Sequence, residues 1–171
     1  MGRLFGTDGV RGIANRDLDC TLAFKIGAVG AFVLTNEVHS PRILVGMDTR
    51  KSGTMLGAAL SAGICSVGGD VLDVGILPTP AMAYLVRLYE ADAAVMISAS
   101  HNTMEYNGIK WFDKNGFKLL DEIEDRIESI IQSGEELPRP EGRDVGRVIS
   151  AVRAKKDYCD YLVEQSDYRF E

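Results

Sequence analysis

The chain has 171 residues, 46% of them hydrophobic, and a mean hydropathy of −0.02, enough apolar content for the core of one globular domain and the opening of a second. Nineteen Lys and Arg against 25 Asp and Glu leave a formal net charge of −6. That balance, with no run of basic residues, excludes the electrostatic footprint of a nucleic-acid binder or a membrane-surface protein.

The N-terminal stretch Phe5-Gly6-Thr7-Asp8-Gly9-Val10-Arg11-Gly12 is dense in glycine and polar groups and reads as a turn. It is not a P-loop, because G-x-x-x-x-G-K-[ST] is absent. Asp19 or Thr21 caps a first helix with Leu22, Ile26, Val29 and Val33 at helical spacing. Its apolar part, Leu22 to Leu34, carries Lys25 and is too short to cross a bilayer, so a core helix of a cytoplasmic protein is expected. Arg42 to Met47 (RILVGM) is a buried strand ending at the polar turn Asp48-Thr49-Arg50. Ser52 caps a second helix bearing Leu56, Leu60, Ile64 and Val67, which Gly68-Gly69 ends.

Val71 to Leu77 is a second strand. Pro78-Thr79-Pro80 is a stiff turn, with Thr79 placed to cap a helix from Ala81 to Tyr89. Ala93 to Ser98 is apolar on both faces and therefore central, and Ile109 to Phe112 is a fourth strand. Asp121 and Glu124 start a helix with Leu120, Ile123, Ile127, Ile130 and Ile131 on its buried stripe and its acidic residues outward; Gly134 closes it. A charged, proline-bearing loop runs to Gly146, followed by a short apolar piece, Val148 to Val152, and a polar helical segment with Tyr158, Tyr161 and Leu162.

Strand and helix alternate, which predicts an α/β domain with helices on both faces of a mixed, four-stranded sheet. Function in such sheets gathers on loops beyond the strand ends. The loops at 7–12, 48–52, 78–80 and 98–108 all lie there. Cys20, Cys65 and Cys159 show no C-x-x-C spacing and read as buried or inert thiols in a reducing cytosol.

Ser100 and His101 follow the central strand directly, and Asn102, Asn107 and Gly108 supply tight turns that would expose them. A serine beside a histidine is equally an ordinary loop pair. A hydrolase triad fits poorly, since no G-x-S-x-G elbow exists and His39 is the only other histidine. A phosphorylated Ser100 would carry about −1.5 to −2 charge, so cations belong close to it. Lys110, ten residues on, is either a strand lysine with a solvated head or a general acid/base. Arg11, between two glycines, is either a surface arginine or a planar fork for an oxyanion. Arg50 either belongs to a plain turn or braces Asp8 or the serine loop. Tight carboxylate spacing is confined to Asp17-Leu18-Asp19, a helix start; Glu122, Glu124, Asp125 and Glu128 read as a solvated helix face. One metal ligand at best is on offer, a phosphoryl oxygen on Ser100.

The blocks FGTDGVRG at 5–12, VGMDTRKSG at 45–53, PTPA at 78–81 and ISASHN…YNGIK at 97–110, in this order and spacing, resemble the first domain of the α-D-phosphohexomutases. These enzymes move a phosphoryl group between two hydroxyls of one sugar. Within the family the likeness is greatest to the branch acting on glucosamine phosphates. The first block starts near Met1, alanine precedes the serine, and the DTR-x-SG-x-ML-x-x-AL pattern follows.

The resemblance implies a three-layer α/β/α fold for residues 1–150, with 151–171 a linker and the opening helix of a truncated second domain. It implies Ser100 as the phosphoserine, Lys110 as general acid/base, His101 as a hydrogen-bonder and Arg11 near the phosphoserine, supported by Thr7, Asp8, Arg50 and Asn102. It further implies one Mg²⁺, held by the phosphoryl oxygen of Ser100 and by aspartates of the absent second domain. The implied partners are a hexosamine phosphate and the remaining domains of the same enzyme, without nucleic acid or membrane. A glucose- or mannose-phosphate mutase and a non-catalytic phosphosugar-binding domain stay open as alternatives. The family usually has proline where Thr103 stands, so a looser loop is expected here.

Overall fold

The computed structural model describes residues 4–7, 9–34 and 40–166. Asp8, one of the expected supporting residues, lies outside the described residues. Among the described residues six strands form one mixed sheet, where four are expected. In chain order the elements are β1 (Val10–Ile13), α1 (Cys20–Leu34), β2 (Arg42–Met47), α2 (Gly53–Ser66), β3 (Asp70–Ile76), α3 (Thr79–Leu88), β4 (Ala93–Ile97), β5 (Tyr106–Asp113), α4 (Asp121–Ser133), β6 (Val148–Ser150) and α5 (Ala154–Glu164). The sheet order is β1-β5-β4-β2-β3-β6. β2, β3, β4 and β6 are parallel, while β5 runs antiparallel to both β4 and β1.

The two unexpected strands are both at edges. β1 falls within the glycine-rich block that reads as a turn, yet its backbone pairs with β5 from Val10 opposite Ile109 to Ile13 opposite Tyr106. β6 is only three residues long and adds to β3 through main-chain bonds that need no long apolar run.

Alternate side chains of the central strands feed two cores, giving the three-layer α/β/α arrangement. Ile43, Val45, Val95, Ile97, Ile109 and Trp111 pack with α1, α2 and α4. Leu44, Ala94, Met96 and Phe112 pack with α3 and with Ala154 and Tyr158 of α5. The Tyr89 hydroxyl donates to Asp157 Oδ2 at 2.7 Å, tying α5 to the end of α3. Burial first, then this carboxylate, pushes the Tyr89 phenol up to about 12.

Several local expectations are corrected. Asp19 does cap α1, accepting from the Leu22 amide at 2.7 Å. Ser52, however, caps nothing with its side chain; its Oγ accepts from Asn107 Nδ2 at 2.9 Å instead. Thr79 is the first residue of α3 rather than its cap, a position taken by Pro78.

The acidic side of α4 is not wholly solvated. Glu124 is 1% exposed and pairs with Lys118 Nζ at 3.1 Å. Glu128 is also buried, accepting from the Phe5 amide and from Gln132 Nε2. These partners remove the desolvation penalty that would otherwise drive the carboxylates outward. Cys20 and Cys159 are exposed and Cys65 is half-buried, so burial does not account for the three thiols. No helix among the described residues is long and apolar enough to cross a membrane.

Candidate active site

The site is built where β2 and β4 end and β5 begins. The strand pairing of β4 with β5 continues one step past Ile97, with the Ser98 amide donating to Gly108 O at 2.9 Å. Gly108 has no side chain for a structural reason: a Cβ there would lie 2.7 Å from Ser98 O and 3.0 Å from Val10 O, between three strands. The chain then turns sharply. Ser100 has φ of 56°, the left-handed region that a non-glycine residue occupies at a cost of about 1–3 kcal/mol.

Polar contacts from the end of β2 hold that turn in place. Ser98 Oγ accepts from the Ser100 amide at 3.0 Å and donates to Asp48 Oδ2 at 2.7 Å. Arg50 Nε donates to the same Asp48 oxygen at 2.9 Å. Its two terminal nitrogens donate to the carbonyls of Ser100, Asn102, Thr103 and Tyr106. Charge-assisted bonds of this kind contribute about 1.5–3 kcal/mol each, enough together to offset the strain at Ser100.

A second constraint sits at Thr103, where proline would otherwise stiffen the loop. The Thr103 carbonyl also accepts from the Tyr106 amide at 3.1 Å. Its hydroxyl donates to the Glu105 carboxylate, which holds that carboxyl below its ordinary range with help from the residue's own amide. Asn107 is fully buried at the loop's end, with Oδ1 accepting from the Gly108 amide at 2.8 Å.

The turn leaves the Ser100 side chain exposed beside a cleft of about 180 Å³, lined by Arg11, Thr79, Met96, Ser98, Ser100 and Lys110. Strand register explains the grouping. Lys110 pairs opposite Met96, and Arg11 opposite Gly108, so Met96, Ser98, Gly108, Lys110 and Arg11 share one face of the sheet. Lys110 Nζ lies 5.7 Å from the Phe112 ring centroid, and Arg11 Nη1 donates to Asn102 Oδ1 at 3.1 Å. Among the described residues, the cleft lining gathers two basic side chains and two serines. Thr79 brings the start of α3, and with it the positive end of a helix dipole. These features accept an anion, and the volume suits a phosphoryl group better than a whole sugar phosphate.

His101 does not line the cleft, but its Nδ1 is 3.4 Å from Ser100 Oγ. Thr7 sits exposed in the tight turn closed by Gly6 N to Gly9 O and does not reach the cleft. Ser98, Asp48 and Thr79 join the site although the sequence does not mark them as site residues. For Ser98 a signal existed: two positions before Ser100 at a strand end, it shares the face that carries Lys110.

A larger cavity of about 620 Å³ lies between α1, α2 and the segment after α4, lined by Phe24, Val29 and Ile130 among others. It contains no residue of the serine loop and is not the site of this chemistry. Among the described residues no group of three His, Cys, Asp or Glu could hold a metal ion. The described residues therefore do not form a Mg²⁺ site by themselves.

Residues 2–138 match the family profile described as phosphoglucomutase/phosphomannomutase, alpha/beta/alpha domain I. The chain is 62% identical over 168 residues to a phosphoglucosamine mutase of Clostridium novyi (strain NT), covering 98% of this chain and 37% of that protein. A phosphoglucosamine mutase of Ruminiclostridium cellulolyticum is 60% identical over 164 residues, covering 95% of this chain and 36% of that one. The chain thus spans little more than a third of the length of these curated relatives. Among solved structures, a phosphoglucomutase/phosphomannomutase family protein from Burkholderia thailandensis superposes with a TM-score of 0.78 at 25% identity, covering 95% of this chain and 36% of that one. A Paramecium phosphoglucomutase, parafusin, shares the fold with a TM-score of 0.63 at 19% identity, covering 97% of this chain and 35% of its own. A profile match over most of the chain, on a sheet that delivers Ser100, Lys110 and Arg11 to one anion-accepting cleft, places this chain in the phosphoglucomutase/phosphomannomutase family as its α/β/α domain I.

Proposed function

We propose that this chain is the phosphoserine-bearing part of a phosphoglucosamine mutase, which interconverts glucosamine 6-phosphate and glucosamine 1-phosphate for UDP-N-acetylglucosamine synthesis. The observation that carries this is Ser100 Oγ exposed at the cleft shared with Lys110 and Arg11, on a loop fixed in advance. The choice of sugar rests on the relatives of about 60% identity, all named phosphoglucosamine mutase.

In the proposed reaction a sugar hydroxyl attacks the phosphorus of phospho-Ser100. A P–O bond forms to the sugar while the P–Oγ bond breaks, its electron pair staying on Oγ. The hydroxyl proton passes to Lys110 Nζ, which takes it as the neutral amine and becomes the ammonium, and the His101 ring, 3.4 Å from Oγ, supplies a proton on that side. The sugar bisphosphate then returns its other phosphoryl group to Ser100 by the reverse step. Arg11 faces the charge on the transferring group. Mg²⁺ belongs to this proposal only as an ion whose carboxylates come from outside the residues described, and no step is derived through it.

The domain division is part of the same proposal. Residues 1–150 end with β6, and 151–171 open a second domain, although the start of α5 is already packed against α3. A cytoplasmic compartment is supported by three cysteines without a disulfide.

A glucose- or mannose-phosphate mutase is the second assignment, favoured by the phosphoglucomutase/phosphomannomutase family structure of TM-score 0.78. Assay of the full-length protein with glucosamine, glucose and mannose 6-phosphates decides between them. Preferred turnover of the glucosamine ester is expected; equal or better turnover of either other ester selects the second assignment. Intact mass adds the covalent test. Phosphate on Ser100, absent from Ser100→Ala, is expected, while a full-length Ser100 that never takes phosphate favours a non-catalytic binding domain.

A further inference from the structure

Arg50 is committed donor by donor. A guanidinium carries five N–H groups in a rigid plane. Here Nε goes to Asp48, Nη1 to Thr103 O and Tyr106 O, and Nη2 to Ser100 O and Asn102 O, at 2.6–3.1 Å. The side chain is 11% exposed. Every donor is spent on the protein itself, so Arg50 has none to offer a substrate phosphate.

The same contacts grip one residue from both sides. Ser100 O is held by Arg50, and the Ser100 amide by Ser98 Oγ. Both Arg50 Nε and Ser98 Oγ end on the single oxygen Asp48 Oδ2. A closed ring therefore runs from one carboxylate through two side chains to the two peptide groups flanking Ser100 Cα. Those two groups report the φ and ψ of Ser100, and φ is the left-handed 56°. No local feature of a serine favours that value.

We propose that Arg50, anchored by Asp48, is a positioning residue for phosphoryl uptake and release at Ser100. It holds the backbone so that Oγ stays in the cleft with Lys110 and Arg11, and never touches the phosphoryl group. This rests on the mutase assignment above and adds to it the device that sets the rate of the covalent step. A lysine cannot substitute, because three donors on one nitrogen cannot reach four carbonyls and a carboxylate arranged around a plane.

The test uses the full-length protein and follows phosphate uptake on Ser100 from glucosamine 1,6-bisphosphate or glucose 1,6-bisphosphate by intact mass. Arg50→Ala is expected to slow uptake about 100-fold, the scale for a reacting group displaced by an ångström, with KM for the bisphosphate little changed. Amide hydrogen exchange at 100–106 rises with it. Arg50→Lys stays close to the alanine variant, whereas millimolar guanidinium ion, but not ammonium, restores uptake to Arg50→Ala. Should Arg50→Ala fail to fold, Ser98→Ala removes the grip on the Ser100 amide and the bond to Asp48 Oδ2 while leaving the Arg50 bonds to the four carbonyls, and is expected to show a smaller loss of the same kind, in rate and not in KM.

Wild-type uptake in the Arg50 variants, a loss confined to KM, or unchanged exchange at 100–106 overturns the inference while leaving the mutase assignment standing. Wild-type Ser100 that accepts phosphate from neither bisphosphate overturns both.

Discussion

β5 is entered and left through two polar clusters, and each buries a charge. Before it, Arg50 is closed in by four main-chain carbonyls and Asp48. After it, Glu124 is closed in by Lys118, whose ammonium also reaches Asp121 at 3.1 Å. The partners differ in kind, and so does the result. Carbonyls from four positions of one loop dictate the path of that loop, down to an unfavourable φ at Ser100. A side-chain pair fixes only how α4 sits on the sheet and leaves the backbone between in ordinary conformations. Buried charge by itself marks no active site; the entry end differs in that its buried charge is spent on main-chain carbonyls beside a strained serine.

The largest break in that comparison comes at the entry end. Lys110→Ala in the full-length protein is expected to lower mutase turnover by about 10²–10⁴-fold, the usual share of a general acid/base, with an unchanged circular dichroism spectrum. Lys110 sits on β5 opposite Met96 with its head at the cleft, so its removal leaves the strand pairing intact. Turnover within a few-fold of wild type would reduce Lys110 to a strand residue.

The exit end should respond in the opposite manner. Lys118→Met takes from the buried Glu124 carboxylate the ammonium that lies 3.1 Å away. Loss of a buried partner costs about 3–5 kcal/mol, discounted to about 2 because the Lys118 side chain is 30% exposed. That corresponds to a fall in Tm of about 4–8 °C for a chain of this size. Phosphate uptake by Ser100 is expected to be unaffected at temperatures where the protein is folded. Adding Glu124→Gln to Lys118→Met should recover part of the loss, which a double-mutant cycle measures directly. The pH dependence has a definite sign. Burial works against the Lys118 ammonium, but its bonds to Glu124 and Asp121 outweigh it and raise the pKa. This contribution is therefore complete below the ordinary lysine pKa and disappears as pH rises through the folded one.

The two ends also differ in how far the sequence reveals them. Helix and strand periods place β2 to β5 and α1 to α4, and the position of Ser100 straight after an apolar strand exposes it. β1 and β6 escape notice because four and three residues pair through their backbones at sheet edges. Register, not motif, then brings Arg11 to the cleft. The misjudged acidic face of α4 has a related cause. A charge is assigned outward by periodicity, and only the fold reveals that Lys118 and the Phe5 amide wait beneath Glu124 and Glu128. Arg50 is visible as a candidate brace, but its carbonyl partners are encoded by no side chain. Ser52 and Thr79 occupy cap-like positions in the sequence, yet the Ser52 hydroxyl is used by Asn107 and the helix begins one residue earlier than a Thr79 cap requires.

The smallest effect separates side-chain from main-chain control within the loop itself. Thr103 contributes its carbonyl to Arg50 and its hydroxyl to Glu105. The hydroxyl bond, then the residue's own amide, lowers the Glu105 pKa. A depressed carboxyl stabilises the fold fully above the ordinary carboxylate pKa and loses that contribution as pH falls through the folded value. Thr103→Val removes the hydroxyl and keeps the carbonyl. The expected outcome is a Glu105 pKa, followed by NMR titration, that moves up toward the ordinary range. Amide exchange at 100–106 should stay as in wild type at neutral pH, because Arg50 still holds four carbonyls. If exchange rises in Thr103→Val as far as in Arg50→Ala, the hydroxyl is what stiffens the loop in place of proline, and the main-chain clamp is not the dominant restraint.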